Sequence, residues 1–191
     1  MVDIGRRPAV PGANDNLSGV AALAALARAL RDRPLEGLRV LLVSAGAEEA
    51  LQEGIRGFAR AHFPRLPRGS TWFVNLDTIG SGRLVLLEGE GPLRMRDYRG
   101  GFKDFVARCA ADEGISVLRG LRSHNSTDSE VPNRAGYPVA TLVSIDHQKL
   151  IPHYHLNSDT PEHLDYGCVA DAARLVEAVA RALARAGPLS R

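Results

Sequence analysis

The feature that most constrains this chain is a set of short, unbroken apolar runs, most of them set apart by stretches of helical periodicity. The runs are LRVLLVSAG (38–46), TWFVNLDTIG (71–80), GRLVLLEGEG (82–91) and GYPVATLVSI (136–145). A run of this length and continuity suits a strand covered on both faces. Between them, Val20, Leu23, Ala24, Ala27 and Leu30 recur at helical spacing, which predicts a helix over 17–32 that stops before Pro34. Leu51, Ile55, Phe58 and Ala59 mark a second helix, and Phe102, Phe105, Val106 and Cys109 a third over 101–113. GISVLRG (114–120) reads as a further short strand. Val169, Ala172, Leu175, Val176, Val179 and Leu183 define a last helix ending at Gly187-Pro188. Alternation of this kind implies a three-layer α/β/α sandwich with a mostly parallel, mixed sheet. No repeat or linker divides the 191 residues, so residues 1–191 read as one domain.

Composition narrows the function. The net charge is +2, from 24 basic and 22 acidic residues, with arginines scattered beside acids along the helices. That pattern fits solvated helix faces and argues against a nucleic-acid partner. Cys109 and Cys168 are too few for a disulfide framework and suit half-buried thiols in a reducing compartment. No apolar run is long enough to span a bilayer, and the first residues lack the apolar core of a signal peptide. As written, the chain reads as cytoplasmic; a start lying further upstream would leave secretion open.

In open α/β sheets, ligands bind beyond the carboxyl ends of the strands. Run 38–46 leads into Glu48-Glu49, and run 71–77 ends in Asp77. Asp15 lies in PGANDNLSG, the loop entering the first helix. Strand 136–145 leads to a loop holding His147, His153, His155 and Asp159. Taken singly, Asp15 fits a helix cap, Glu48-Glu49 first-turn acids, Asp77 a turn residue and His155 a surface histidine. Taken together, they bring carboxylates and imidazoles to one edge, where like charges repel unless a cation sits among them. Oxygen and imidazole nitrogen suit Zn²⁺, with Mn²⁺ or Co²⁺ as substitutes. The number of carboxylates favours two ions over one.

The ordered set PGANDNLSG, SAGAEEALQEG, NLDTIG and YHLNSDTPEHLD resembles the M28 family of zinc metallopeptidases. STDSEVPNRAGYPVATL is similar to that family's segment before its last core strand. The resemblance implies a co-catalytic two-zinc aminopeptidase acting on peptide substrates. By position, Asp15 matches the carboxylate that bridges both metals, Glu49 a ligand of one and Asp77 a ligand of the other. His155, followed by Asp159-Thr160 in an H-x-x-x-D-T pattern, matches the last ligand, a spacing that His153 does not have. Glu48 matches the general base, and Tyr154 a tyrosine that polarises the scissile carbonyl. Asp159 is expected to brace the loop or the ligands.

The family's His-x-Asp motif falls where this chain reads MVD, so Asp3 aligns with its aspartate and Met1 with its histidine ligand. A thioether is a poor zinc ligand. The strands that precede this motif in the family are also absent, which implies an N-terminally truncated domain. An open sheet edge would follow, with a homodimer as one way to cover it. Two other readings stand beside the aminopeptidase: an impaired binding module with the same fold, and a glutaminyl-cyclase-like enzyme with one zinc.

Overall fold

The computed structural model describes residues 9–186. In chain order the elements are α1 (Ser18–Asp32), α2 (Glu53–His62), β1 (Phe73–Leu76), β2 (Arg83–Leu86), β3 (Gly89–Glu90), β4 (Arg96–Asp97), α3 (Gly100–Asp112), β5 (Arg122–Ser123), α4 (Glu130–Arg134), β6 (Val139–Ile145) and α5 (Tyr166–Ala186). The centre is β6, whose VATLVSI sequence is buried along almost its whole length. It pairs in parallel with β1, Phe73 against Val139, and antiparallel with β2, Leu86 against Leu142. A second small sheet has the order β4-β3-β5, with β3 antiparallel to β4 and parallel to β5.

Alternation along β6 sends its side chains to two cores. Ala140 and Leu142 join Leu76, Leu84 and Leu86 on the face covered by α1, α3 and α5, where Ala22, Phe102, Val106, Ala172, Leu175 and Val179 are buried. Val139 and Ile145 join Val85, Leu87 and Tyr98 on the other face. There Phe63, just beyond α2, packs edge-on against Phe73 and Tyr137. Each fully buried Leu or Val contributes roughly 1.5–3 kcal/mol, so the layers are held chiefly by these two cores. The three layers and mixed sheet match the sequence expectation.

The local departures have physical causes. The 82–91 run splits into β2 and β3 because its backbone changes partner after Leu87, whose N–H still reaches the Thr141 carbonyl of β6 at 3.0 Å while that of Glu88 reaches Leu121 at 2.8 Å. Segment 114–120 makes only one bridge, Val85 to Leu118, although Leu118 exchanges backbone hydrogen bonds with β2 at 2.8 and 2.9 Å. The largest departure is the run 38–46, expected as a buried strand. It has no ladder partner among the described residues, and Leu41, Leu42 and Val43 are 49, 40 and 36% exposed. Apolar sequence alone does not make a strand; the ladder needs a neighbour on at least one side, and none of the described strands flanks this run.

Candidate metal centre

The loop that carries Asp15 is built by side chains gripping backbone. Gly12 enters it with φ +66, and a Cβ there would meet the Asp15 carbonyl oxygen at 2.7 Å. The buried Asp159 carboxylate accepts the N–H groups of Asn14 (2.7 Å) and Asp15 (3.0 Å), while its carbonyl accepts that of Ala13 (3.1 Å). Asn14 and Asn16 tie the loop to the end of β1 and the chain just after it. Asn14 Oδ1 accepts from Gly80 N (2.8 Å), and Asn16 Nδ2 donates to the Leu76 carbonyl (2.9 Å). The N–H of Gly19, in the first turn of α1, bonds to Asn16 Oδ1 at 3.1 Å. Asn16 therefore takes the capping role that a lone reading of Asp15 would have assigned to the aspartate, and the Asp15 carboxylate is left free for other partners.

Glu48 and Glu49 sit on a tight turn ahead of α2. Gln52 N bonds to the Glu48 carbonyl (2.7 Å), Glu53 N to that of Ala47 (3.1 Å) and Gly54 N to that of Gly46 (3.0 Å). Ala47, Leu51 and Gln52 all have positive φ, at 55, 61 and 61°. Such backbone is costly for non-glycine residues and persists where surrounding bonds over-determine it. Gly54 is required by space, since a Cβ would lie 2.1 Å from the Gly46 carbonyl oxygen. Buried Gln52 anchors the turn by donating from Nε2 to the Thr127 carbonyl at 2.7 Å.

Three of these segments meet at one point. His155 Nε2 lies 2.6 Å from Glu49 Oε1 and 3.2 Å from Asp15 Oδ2. One ligand atom from each of Asp15, Glu49 and His155 falls within 4.8 Å of the others. His155 also has positive φ, at 58°, and its ring stacks on Tyr154 at 3.8 Å. Asp77 follows β1, its N–H bonded to the Leu142 carbonyl at 3.0 Å. It is half-buried and close enough for its carboxyl to respond to the charges of Asp15 and Glu48.

The electrostatics are those of crowded acids. Burial, then Glu49, raises the Asp15 carboxyl, while His155 pulls it back. Burial and the charges of Glu49, Asp128, Asp15 and Glu90 push Glu48 up to about 7. Burial, then Asp15 and Glu48, push Asp77 up to about 8. Burial and the surrounding carboxylates also raise the Tyr154 hydroxyl, which keeps it a neutral donor. Oxygen atoms from two carboxylates and one imidazole nitrogen, all within a single ion's reach, form a donor set that fits zinc. A divalent cation there would offset the mutual repulsion that raises these groups.

Of the residues singled out in the sequence, the structure brings Asp15, Glu49 and His155 into contact and sets Asp77, Glu48 and Tyr154 around them. Asp3, with Met1 before it, lies outside the described residues. His153 is turned aside, its Nδ1 2.8 Å from Ser158 Oγ and its ring stacked on His163. His147 is exposed and lines a separate cavity of ≈250 Å³. Sequence reasoning assigned no role to Glu90, Gln52 or Asp128. Glu90 is buried, bonded to Thr127 N at 2.8 Å and pushed by burial up to about 7; Asp128 is pushed up to about 6. The available signal was an acid closing an apolar run and another in STDSE, neither distinctive without the contacts.

The family model for Peptidase family M28 matches residues 3–180. The chain belongs to peptidase family M28. Its fold is shared by BSAP, a zinc aminopeptidase from Bacillus subtilis, at TM-score 0.73 and 24% identity over 89% of this chain and 42% of that one. It is similar to the Legionella pneumophila LapA aminopeptidase at TM-score 0.76 and 17% identity, over 95% of this chain and 48% of LapA. It is also similar to an Acidobacteriales bacterium glutaminyl cyclase at TM-score 0.68 and 21% identity, over 92% of this chain and 63% of the cyclase. This M28 chain thus spans less than half the length of the two aminopeptidases. No curated protein sequence matches it. No helix among the described residues is long and apolar enough to cross a membrane.

Proposed function

We propose that this M28 chain carries the zinc centre and proton-transfer group of an aminopeptidase that releases the N-terminal residue of peptides. The observation that carries the reading is the meeting of Asp15, Glu49 and His155 at a point where one ion can touch all three. Those three would hold one zinc; Asp15 and Asp77 would contribute to a second. When bound, zinc supplies Lewis-acid polarisation of the carbonyl and activation of water.

The chain's own residues account for the rest. Glu48, with its carboxyl held at about 7, is matched to both halves of a proton transfer near neutral pH. It takes a proton from the attacking water as the C–O bond forms. It gives that proton to the amine as the C–N bond breaks, leaving a carboxylate and a free amine. Tyr154, kept neutral, donates its hydroxyl to the carbonyl oxygen as negative charge develops there. Asp159 fixes the Asp15 loop, and Gln52 the Glu48-Glu49 turn, so that these groups stay in register.

The test is release from amino-acid anilides with added Zn²⁺, with zinc per chain counted by mass spectrometry. Two zincs and a loss of at least a hundredfold in Glu48→Gln are expected, in the range for removing a general base. Equal turnover in wild type and Glu48→Gln would remove Glu48 from the reaction. The likeness to the glutaminyl cyclase, together with one complete ligand triad, supports a second reading as a one-zinc cyclase. One zinc per chain, with cyclisation of an N-terminal glutamine and no anilide release, would favour it. One zinc and neither activity would leave a binding module.

A further inference from the structure

The N-terminal ends of β1 and β6 lie opposite the zinc-ligand edge, and a second cavity of ≈650 Å³ opens there. Its walls are Ala59, Phe63, Pro64, Leu66 and Tyr137, with Arg60 and Arg68 at hand and no carboxylate in the lining. The apolar wall is rigidly built. Tyr137, itself buried, donates its hydroxyl to the carbonyls of Phe63 (3.1 Å) and Leu66 (2.8 Å), locking the 63–66 loop. The Phe63, Phe73 and Tyr137 rings pack edge-on with centroids 4.7–5.5 Å apart.

Two guanidinium groups, Arg60 and Arg68, line this cavity, and a third, Arg99, lies beside it near Gly136. Arg68 lies over the Tyr137 ring at 6.0 Å. A Cβ built on Gly136 (φ +86) would be 3.8 Å from Arg99 Nη2 and within 4.0 Å of Arg68 Nε, so both cations converge above one residue. Arg60, Arg68 and Arg99 form no ion pair among the described residues. Arg119 and Arg122, by contrast, each hold a carboxylate at 2.7–2.8 Å. Unneutralised guanidiniums beside a preformed aromatic wall match an anion that carries a flat ring, because the planar fork binds carboxylate or phosphate and the wall takes the apolar part.

We infer that this cavity binds a small organic anion with an aromatic body, a carboxylate or a phosphate ester, held by Arg68 and Arg99 against Phe63 and Tyr137. The site is separate from the zinc centre, and α2 joins the two: it begins just after the Glu48-Glu49 turn and ends beside Phe63. The experiment titrates phenyl phosphate, benzoate, phenol and inorganic phosphate into chelator-treated protein, so that no zinc captures the anion. Amide shifts of Gly69, Gly136 and Tyr137 report binding. Phenyl phosphate or benzoate, whichever head group fits, is expected to saturate at least tenfold more tightly than phenol and inorganic phosphate. Arg68→Gln and Arg99→Gln, both at exposed positions, are expected to lower that affinity at least tenfold with an unchanged melting temperature. Arg31→Gln, remote from the cavity, is expected to leave it alone. Equal binding of inorganic phosphate and the ring-bearing anions, undiminished binding in both variants, or no saturable shift with either ring-bearing anion would overturn the assignment.

Discussion

Asp159 holds Asp15 by the backbone: its Oδ2 accepts the Asp15 N–H at 3.0 Å while its Oδ1 accepts that of Asn14 at 2.7 Å. Both bonds need an acceptor at both oxygens. Asp159→Asn replaces one acceptor with a donor and sets it against an N–H. The cost is expected to be about 1–3 kcal/mol, as for a buried group left unmatched. Because the loop also aims Asp15, zinc affinity should fall roughly 10–100-fold, the range for groups that support a ligand. Thermal unfolding without metal and zinc titration check the two effects separately.

His155 and His153 are two residues apart and do different things. His155→Ala is expected to remove the tight zinc, since two carboxylates alone make a poor zinc site. His153→Ala should keep it, because that ring is engaged with Ser158 and His163. Zinc content after gel filtration decides the matter; parallel losses in the two variants would contradict the assignment of His155.

Gly54 is a steric requirement of the Glu48-Glu49 turn. A methyl group at Gly54 collides with backbone of Gly46, and backbone cannot rotate away as a side chain can. Gly54→Ala should therefore lower the melting temperature and zinc affinity together. Gly101→Ala, in the first turn of α3 with open space around it, is the matched control. It should be neutral or stabilising by roughly 0.5–1 kcal/mol.

Acid sensitivity should track Glu88. Its carboxyl bonds to Arg119 and to the buried Lys103, and these hold it down at about 2 against an ordinary value of 4.5. A depressed folded-state value means that stability is fully present above the unfolded value and is lost as pH falls through the folded one. The melting temperature should thus decline from about pH 4.5 towards pH 2, and Glu88→Gln should flatten that part of the curve. Unchanged acid profiles in the two proteins would show that the pair contributes nothing.

Much of this was legible in the sequence because periodicity reports burial directly. The helix expected over 17–32 is α1 at Ser18–Asp32, the helix over 101–113 is α3 at Gly100–Asp112, and the strand over 136–145 contains β6. The zinc-ligand candidates were legible because each lies in a loop that leads into, ends or follows a periodic segment. Asn14, Asn16, Ser18 and Gln52 were not, because their work is to bond backbone far away in sequence. Asn14 reaches Gly80, Asn16 reaches Leu76, Ser18 reaches Ile79 and Gln52 reaches Thr127. In sequence such residues look like ordinary loop or helix polar groups. The run 38–46 fails for the opposite reason: its composition is a strand's, but a ladder is a property of two segments.

That run has a consequence for the metal. Glu49 is one turn beyond Gly46, so one end of its support is a stretch whose amides have no ladder among the described residues, while the other end is pinned through Gln52 and Gly54. The centre is therefore preorganised unequally. Asp15 has its N–H held by Asp159, whereas Glu49 must be stilled when an ion arrives, at an entropic cost that subtracts from binding. A strand laid beside Leu38–Gly46, from whatever source, would meet that cost in advance. The zinc affinity of this centre would in this sense be set at a distance, by what pairs with Leu38–Gly46.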